Sequence, residues 1–170
     1  ILTEANLTDV VLTGAILTNA NLENVVLTNT ILKCVGHPVC VPTGDELSGK
    51  DLTGTSLAGV DLSSVDLTGT ILTGANLSNT NLENTDLSGK DLTGASLAGV
   101  NLSGKDLTGT ILTGANLSNT NLENTDLSGK DLTGAILTDA NLPNAILTEA
   151  NLTDVVLTGA ILTSANLENV

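Results

Sequence analysis

Residues 71–90 read Ile71-Leu72-Thr73-Gly74-Ala75-Asn76-Leu77-Ser78-Asn79-Thr80-Asn81-Leu82-Glu83-Asn84-Thr85-Asp86-Leu87-Ser88-Gly89-Lys90. Leucine returns at every fifth position, and two residues after each leucine stands Gly or Asn. The same period runs from Leu2 to Leu167, failing only at His37 and Pro42, and no leucine lies outside it. A five-residue period fits neither the 3.6 of a helix nor the 2.0 of a flat strand, so it describes a unit that turns a corner after each pentad.

Within a pentad the position two before leucine is small or branched, as in Ala5, Val10, Ala15 and Ala20. Local alternation puts that residue and the leucine inward and the two neighbours of the leucine outward. Gly, Asn and Asp collect at the closing position because they tolerate the positive φ that tight corners require.

Composition narrows the class. The chain has 170 residues and no Phe, Tyr, Trp or Met, so the core is leucine stacked on leucine with small fillers. That suits a narrow solenoid, read as one domain over residues 1–170. Nineteen acidic residues against five lysines give a net charge of −14, which disfavours direct binding to nucleic acid or an anionic membrane. Polar residues interrupt every pentad, so no stretch approaches the roughly 18 apolar residues of a membrane span. The chain opens without Met and in mid-pattern, which fits a portion of a longer protein.

Segments such as Ala5-Asn6-Leu7-Thr8-Asp9 and Ala75-Asn76-Leu77-Ser78-Asn79 carry the motif A-[D/N]-L-x-x. By that motif, over nearly its whole length, the chain resembles the pentapeptide-repeat family, which is abundant in cyanobacteria. The resemblance implies an all-β fold: a right-handed quadrilateral parallel β-helix in which four pentads form one square coil and residues twenty apart stack. About eight coils at ~4.8 Å each would make a rod roughly 38 Å long. Residues 91–130 nearly copy residues 51–90, differing at Thr55/Ala95, Asp61/Asn101, Ser64/Gly104 and Val65/Lys105, so duplication went by two whole coils.

One segment breaks the pattern. Residues 33–46 hold both cysteines, the single histidine and two of the three prolines, and read as a loop extruded from the rod. Loops on rigid scaffolds carry function, which makes Val35, Gly36, His37, Pro38, Val39, Val41 and Pro42 a candidate partner-binding loop. Cys34 and Cys40 have the wrong spacing for a C-x-x-C redox pair or a zinc knuckle. A local disulfide is the favoured reading, beside two free thiols and a Cys-His-Cys metal site. Oxidised, the pair would indicate the periplasm or thylakoid lumen; reduced, the cytoplasm.

Stacking by twenty also orders the surface. Asp66, Asp86, Asp106 and Asp126 share an acidic column, and Asn81, Asn101, Asn121 and Asn141 a second column expected to form an amide ladder. Like charges ~4.8 Å apart repel, and a cation, a basic partner or raised carboxyl pKa values would relieve them. Lys50, Lys90, Lys105 and Lys130 occupy inward positions, where an unpaired ammonium is costly. They are expected to snorkel out at a distorted corner, beside the aspartate that follows, as in Lys50-Asp51 and Lys90-Asp91.

No catalytic constellation and no cofactor motif emerges from the repeat. The expected function is a non-enzymatic scaffold presenting an acidic surface and one loop to a protein partner. Two alternatives follow. Outward Ile1, Val11, Ile16, Val26 and Ile31 toward one end, with Ile136, Ile146, Val156 and Ile161 toward the other, suit a structural rod associating end to end. Some members of the family protect DNA gyrase by resembling duplex DNA, and −14 spread over roughly 38 Å is about one charge per 2.7 Å, against one per ~1.7 Å of duplex. This chain lacks the core phenylalanines common in those members.

Overall fold

The computed structural model describes residues 5–7, 10, 47–63 and 65–170. The loop at 33–46, with Cys34, Cys40 and His37, lies outside the described residues. From residue 47 onward the chain is a right-handed quadrilateral β-helix. Parallel bridges join residues twenty apart, as in Asp51 to Ile71, Ser56 to Asn76 and Asp61 to Asn81, so one coil is four pentads.

Each face is named here by its leucine column. Among the described residues face 4 begins at Leu47, face 1 at Leu52, face 2 at Leu57 and face 3 at Leu62, each repeating every twenty residues. Among the described residues from Leu47 to Ala165, each corner is a hydrogen-bonded turn in which the inward residue donates its amide to the preceding leucine carbonyl, as Thr55 does to Leu52 at 2.9 Å. The third residue of the turn has positive φ, 64° at Gly54 and 56° at Asn79, as type II turns require.

The core is the expected one. Leu52, Leu72, Leu77, Leu97 and Leu117 are fully enclosed, with Ala75, Ala95 and Ala115 filling between them. Threonine also enters this core because its hydroxyl finds a carbonyl: Thr70 Oγ1 donates to Leu47 O at 2.9 Å and Thr110 Oγ1 to Leu87 O at 2.9 Å. Among the described residues no buried side-chain polar atom lacks a partner. Over residues 151–170 Leu157 and Leu162 are half-buried and Leu167 is 37% exposed. Among the described residues no helix is long and apolar enough to cross a membrane.

Candidate functional site: an acidic face edged by lysines

Asp66, Asp86, Asp106 and Asp126 all precede a leucine of face 4 and all are exposed. Each carboxylate accepts the backbone amide two residues on: Thr68 at 2.8 Å, Ser88 at 2.8 Å, Thr108 at 2.8 Å and Ser128 at 2.9 Å. The local turn therefore fixes the direction of the charge, as side-chain turns of this type do.

The same bonds govern protonation. The Thr68 hydroxyl and amide hold the Asp66 carboxyl below its ordinary value, and the Ser88, Thr108 and Ser128 pairs do the same for Asp86, Asp106 and Asp126. Lysine ammoniums add to this: Lys90 acts on Asp66 and Asp86, Lys105 on Asp86, and Lys130 on Asp106 and Asp126. Raised pKa values, one expected route of relief, are thus not used; hydrogen bonding to the charged form outweighs like-charge repulsion and the column stays ionised.

The lysines lie where the sequence puts them, half-buried at the edges of face 4. Lys105 Nζ donates to Thr85 O at 3.0 Å, and Lys130 Nζ contacts Thr110 O at 3.5 Å. Their electrostatic partners differ from expectation. The aspartates that feel them are those of face 4, whereas Asp51 and Asp91, which follow Lys50 and Lys90, are held low by Thr53 and Thr93. The ammoniums of Lys105 and Lys130 reach down their own corners to the coil below, to Thr85 O and Thr110 O, instead of forward to the aspartate that follows.

The asparagine column also differs. Asn141 Nδ2 donates to Asn121 Oδ1 at 3.1 Å, but Asn81 and Asn101 spend their side-chain oxygens on the amides of Glu83 and Ser103. The amide pairing expected along the whole column is thus made only at Asn121 and Asn141, where Asn121 Oδ1 accepts the Glu123 amide at 3.1 Å as well.

Between successive aspartates the surface opens into clefts. One of about 220 Å³ holds Asp66, Asp86 and Lys90; one of about 420 Å³ holds Asp86, Lys105 and Asp106; one of about 350 Å³ holds Asp106, Asp126 and Lys130. Among the described residues no three His, Cys, Asp or Glu converge to hold a metal ion. The charge pattern suits recognition of a charged surface. Sequence reasoning found the acidic column and the odd lysines separately; that they edge one face was legible in their numbering, since Lys50, Lys90 and Lys130 share one corner column and Lys105 lies in the corner column across face 4.

A model of pentapeptide repeats matches in eight copies, over residues 2–35, 46–74, 75–114, 91–129, 115–154 and 135–170. The chain belongs to the pentapeptide-repeat family. Among solved structures it is similar to HetL, a pentapeptide-repeat protein involved in heterocyst differentiation regulation from the cyanobacterium Nostoc, at 28% identity and a TM-score of 0.52, covering 98% of this chain and 89% of HetL. It also matches Rfr23 from the cyanobacterium Cyanothece, at 33% identity over 74% of this chain and 65% of that one, with a TM-score of 0.24. A comparison with curated proteins finds no match. Proteins of this family are generally structural or interaction proteins and not enzymes, and the scaffold character of this rod follows from that membership.

Proposed function

We propose that this pentapeptide-repeat rod is a non-catalytic recognition scaffold that presents face 4, together with the loop at 33–46, to a protein partner with a basic surface. The observation that carries this reading is the orientation of four exposed carboxylates. Each is held ionised and aimed outward by the turn that follows it, so a cationic partner meets a fixed row of charges and loses little side-chain entropy from this side. The regulatory involvement described for HetL is in keeping with recognition. A duplex-mimic role would need an unbroken acidic strip, and Lys50, Lys90, Lys105 and Lys130 interrupt the edges of this one. We also place the chain in the periplasm or thylakoid lumen if Cys34 and Cys40 are joined, and in the cytoplasm otherwise.

The test is affinity capture from host lysate with three baits: the intact chain, a chain with residues 34–45 replaced by a Gly/Ser bridge, and Asp66→Asn/Asp86→Asn/Asp106→Asn/Asp126→Asn. A partner held through face 4 is retained by the first, lost from the third, and released as salt rises from about 50 to 300 mM. Loss from the bridged bait as well would make the loop part of the same site. Retention by the asparagine bait overturns the reading.

A further inference from the structure

The lysines do more than edge the acidic face. Along face 2 the coil-to-coil ladder is continuous: Leu57, Leu77, Leu97, Leu117 and Leu137 each donate to the coil above at 2.7 Å, and Asn76, Ser96, Asn116, Ile136 and Val156 each donate to the coil below. Among the described residues beyond 50 the ladder opens at three corners, and at each of them a lysine stands one coil above a threonine. At the Thr110/Lys130 corner the amides of Leu107, Gly109, Leu112, Asp126 and Asp131 meet no carbonyl in hydrogen-bonding range. The Thr70/Lys90 corner leaves Leu67, Gly69, Leu72, Asp86 and Asp91 in the same state. At Thr85/Lys105 the affected amides are Leu82, Leu87 and Asn84 with Asn101 and Asp106.

The reverse order is closed at two of its three corners. Where threonine stands above Lys50 and Lys90, Ile71 N donates to Lys50 O at 3.0 Å and Ile111 N to Lys90 O at 2.9 Å. Where Thr125 stands above Lys105, Leu102 N and Gly104 N still reach the coil above at 2.8 and 3.0 Å, and only the Asp126 amide, on the strand that runs into the Thr110/Lys130 corner, is open. A lysine in the column therefore does not by itself open the rung above it. The ammonium then takes the carbonyl that the ladder would have used. Lys105 Nζ holds Thr85 O, the acceptor that would fall to Asp106 N, and Lys130 Nζ contacts Thr110 O, the acceptor that would fall to Asp131 N. Past the last of these corners face 4 closes again, with Leu127 N on Ile146 O at 2.7 Å and Ile146 N on Thr125 O at 3.0 Å.

Face 2 lies opposite face 4. From these observations we propose that the lysine corners make face 4 a flexing seam, with face 2 as its spine, so that the rod changes curvature by opening and closing the acidic side over residues 65–131. Open rungs there lower the cost of separating neighbouring coils, while the laddered spine keeps the coils in register. The seam is a property of the chain alone and stands or falls independently of any partner.

Amide exchange read residue by residue on the full chain, without partner, tests it. The amides of Leu67, Leu87 and Leu107 should exchange at least about a hundredfold faster than those of Leu77, Leu97 and Leu117, although all six leucines are buried. Lys105→Thr alone should slow exchange about tenfold at Leu82, Leu87 and Asp106 while leaving the Thr110/Lys130 corner unchanged, which separates ladder closure from a global gain in stability. In small-angle scattering, Lys90→Thr/Lys105→Thr/Lys130→Thr should narrow the distribution of rod curvature. Equal protection on faces 2 and 4, a change spread over all corners from Lys105→Thr, or unaltered scattering from the triple variant each overturns the proposal.

Discussion

The corner column that closes face 2 mixes glycine with larger residues: Gly59, Asn79, Gly99, Asn119, Asp139 and Gly159. All of them have positive φ, yet they are not equivalent. A Cβ built on Gly99 would run into Asn79 Oδ1, with Asn79 Cγ at 3.3 Å, because the asparagine side chain lies over the glycine of the next coil. A Cβ on Gly134, in the corner column of face 1, meets nothing within 4 Å. Gly134→Ala therefore carries only the left-handed backbone cost less the entropy lost by the unfolded chain, about 1 kcal/mol net. Gly99→Ala adds the rotation of Asn79 out of its place, ~0.5–1.5 kcal/mol, for a total of about 2 kcal/mol. At roughly 2–4 °C per kcal/mol for a chain of this size, Tm should fall by about 2–4 °C for Gly134→Ala and about 4–8 °C for Gly99→Ala. The assay is thermal unfolding of both variants together with Asn79→Gly and the double variant Asn79→Gly/Gly99→Ala. The pair should show a favourable coupling of about 1 kcal/mol, because removing the asparagine amide frees the space the methyl needs. Equal Tm losses at Gly99 and Gly134, or no coupling with Asn79, would refute the packing argument.

Two further outcomes follow from the same geometry. Eight aspartates, at 51, 61, 66, 86, 91, 106, 126 and 131, have folded pKa values depressed by hydroxyl and amide donors two residues on. Since the folded values lie below the unfolded value of about 3.9, their contribution is complete above that pH and is lost as pH falls through the folded values. The urea midpoint should stay flat from about pH 8 to 5 and drop below about pH 4, and a loss beginning near pH 6 would contradict the assignment. Leu117→Ala, at a site with 0% exposure, should cost about 3–5 kcal/mol in urea unfolding, whereas Leu167→Ala, at 37% exposure, should cost under about 1 kcal/mol; equal costs would mean the coils do not stack as described.

The family motif fixed the coil, while the composition and period in the sequence settled the inside and outside of each pentad and the place of every corner. The reason is that each depends on a short-range rule repeated many times: leucine must be buried, and Gly, Asn or Asp must supply positive φ at the third turn position. The acidic column was equally legible, since a twenty-residue coil turns spacing in the chain into stacking in space. Protonation was not, because the aspartates answer to a turn hydroxyl and amide whose direction no spacing reveals. Nor was the asparagine pairing, where Asn81 holds the amide of Glu83 through its side-chain oxygen and only Asn121 and Asn141 of the column join their side-chain amides.

The lysines mark the boundary between the two kinds of knowledge. Their positions in the sequence announced a distortion, because an ammonium could not remain in a leucine core. Only the tertiary structure decided its direction: Lys105 and Lys130 reach down to Thr85 and Thr110 and compete for ladder carbonyls, so each corner with lysine above threonine is open, while threonine above Lys50 and Lys90 leaves the corner closed. That asymmetry comes from the path a long side chain takes between two particular coils, which depends on contacts twenty residues apart.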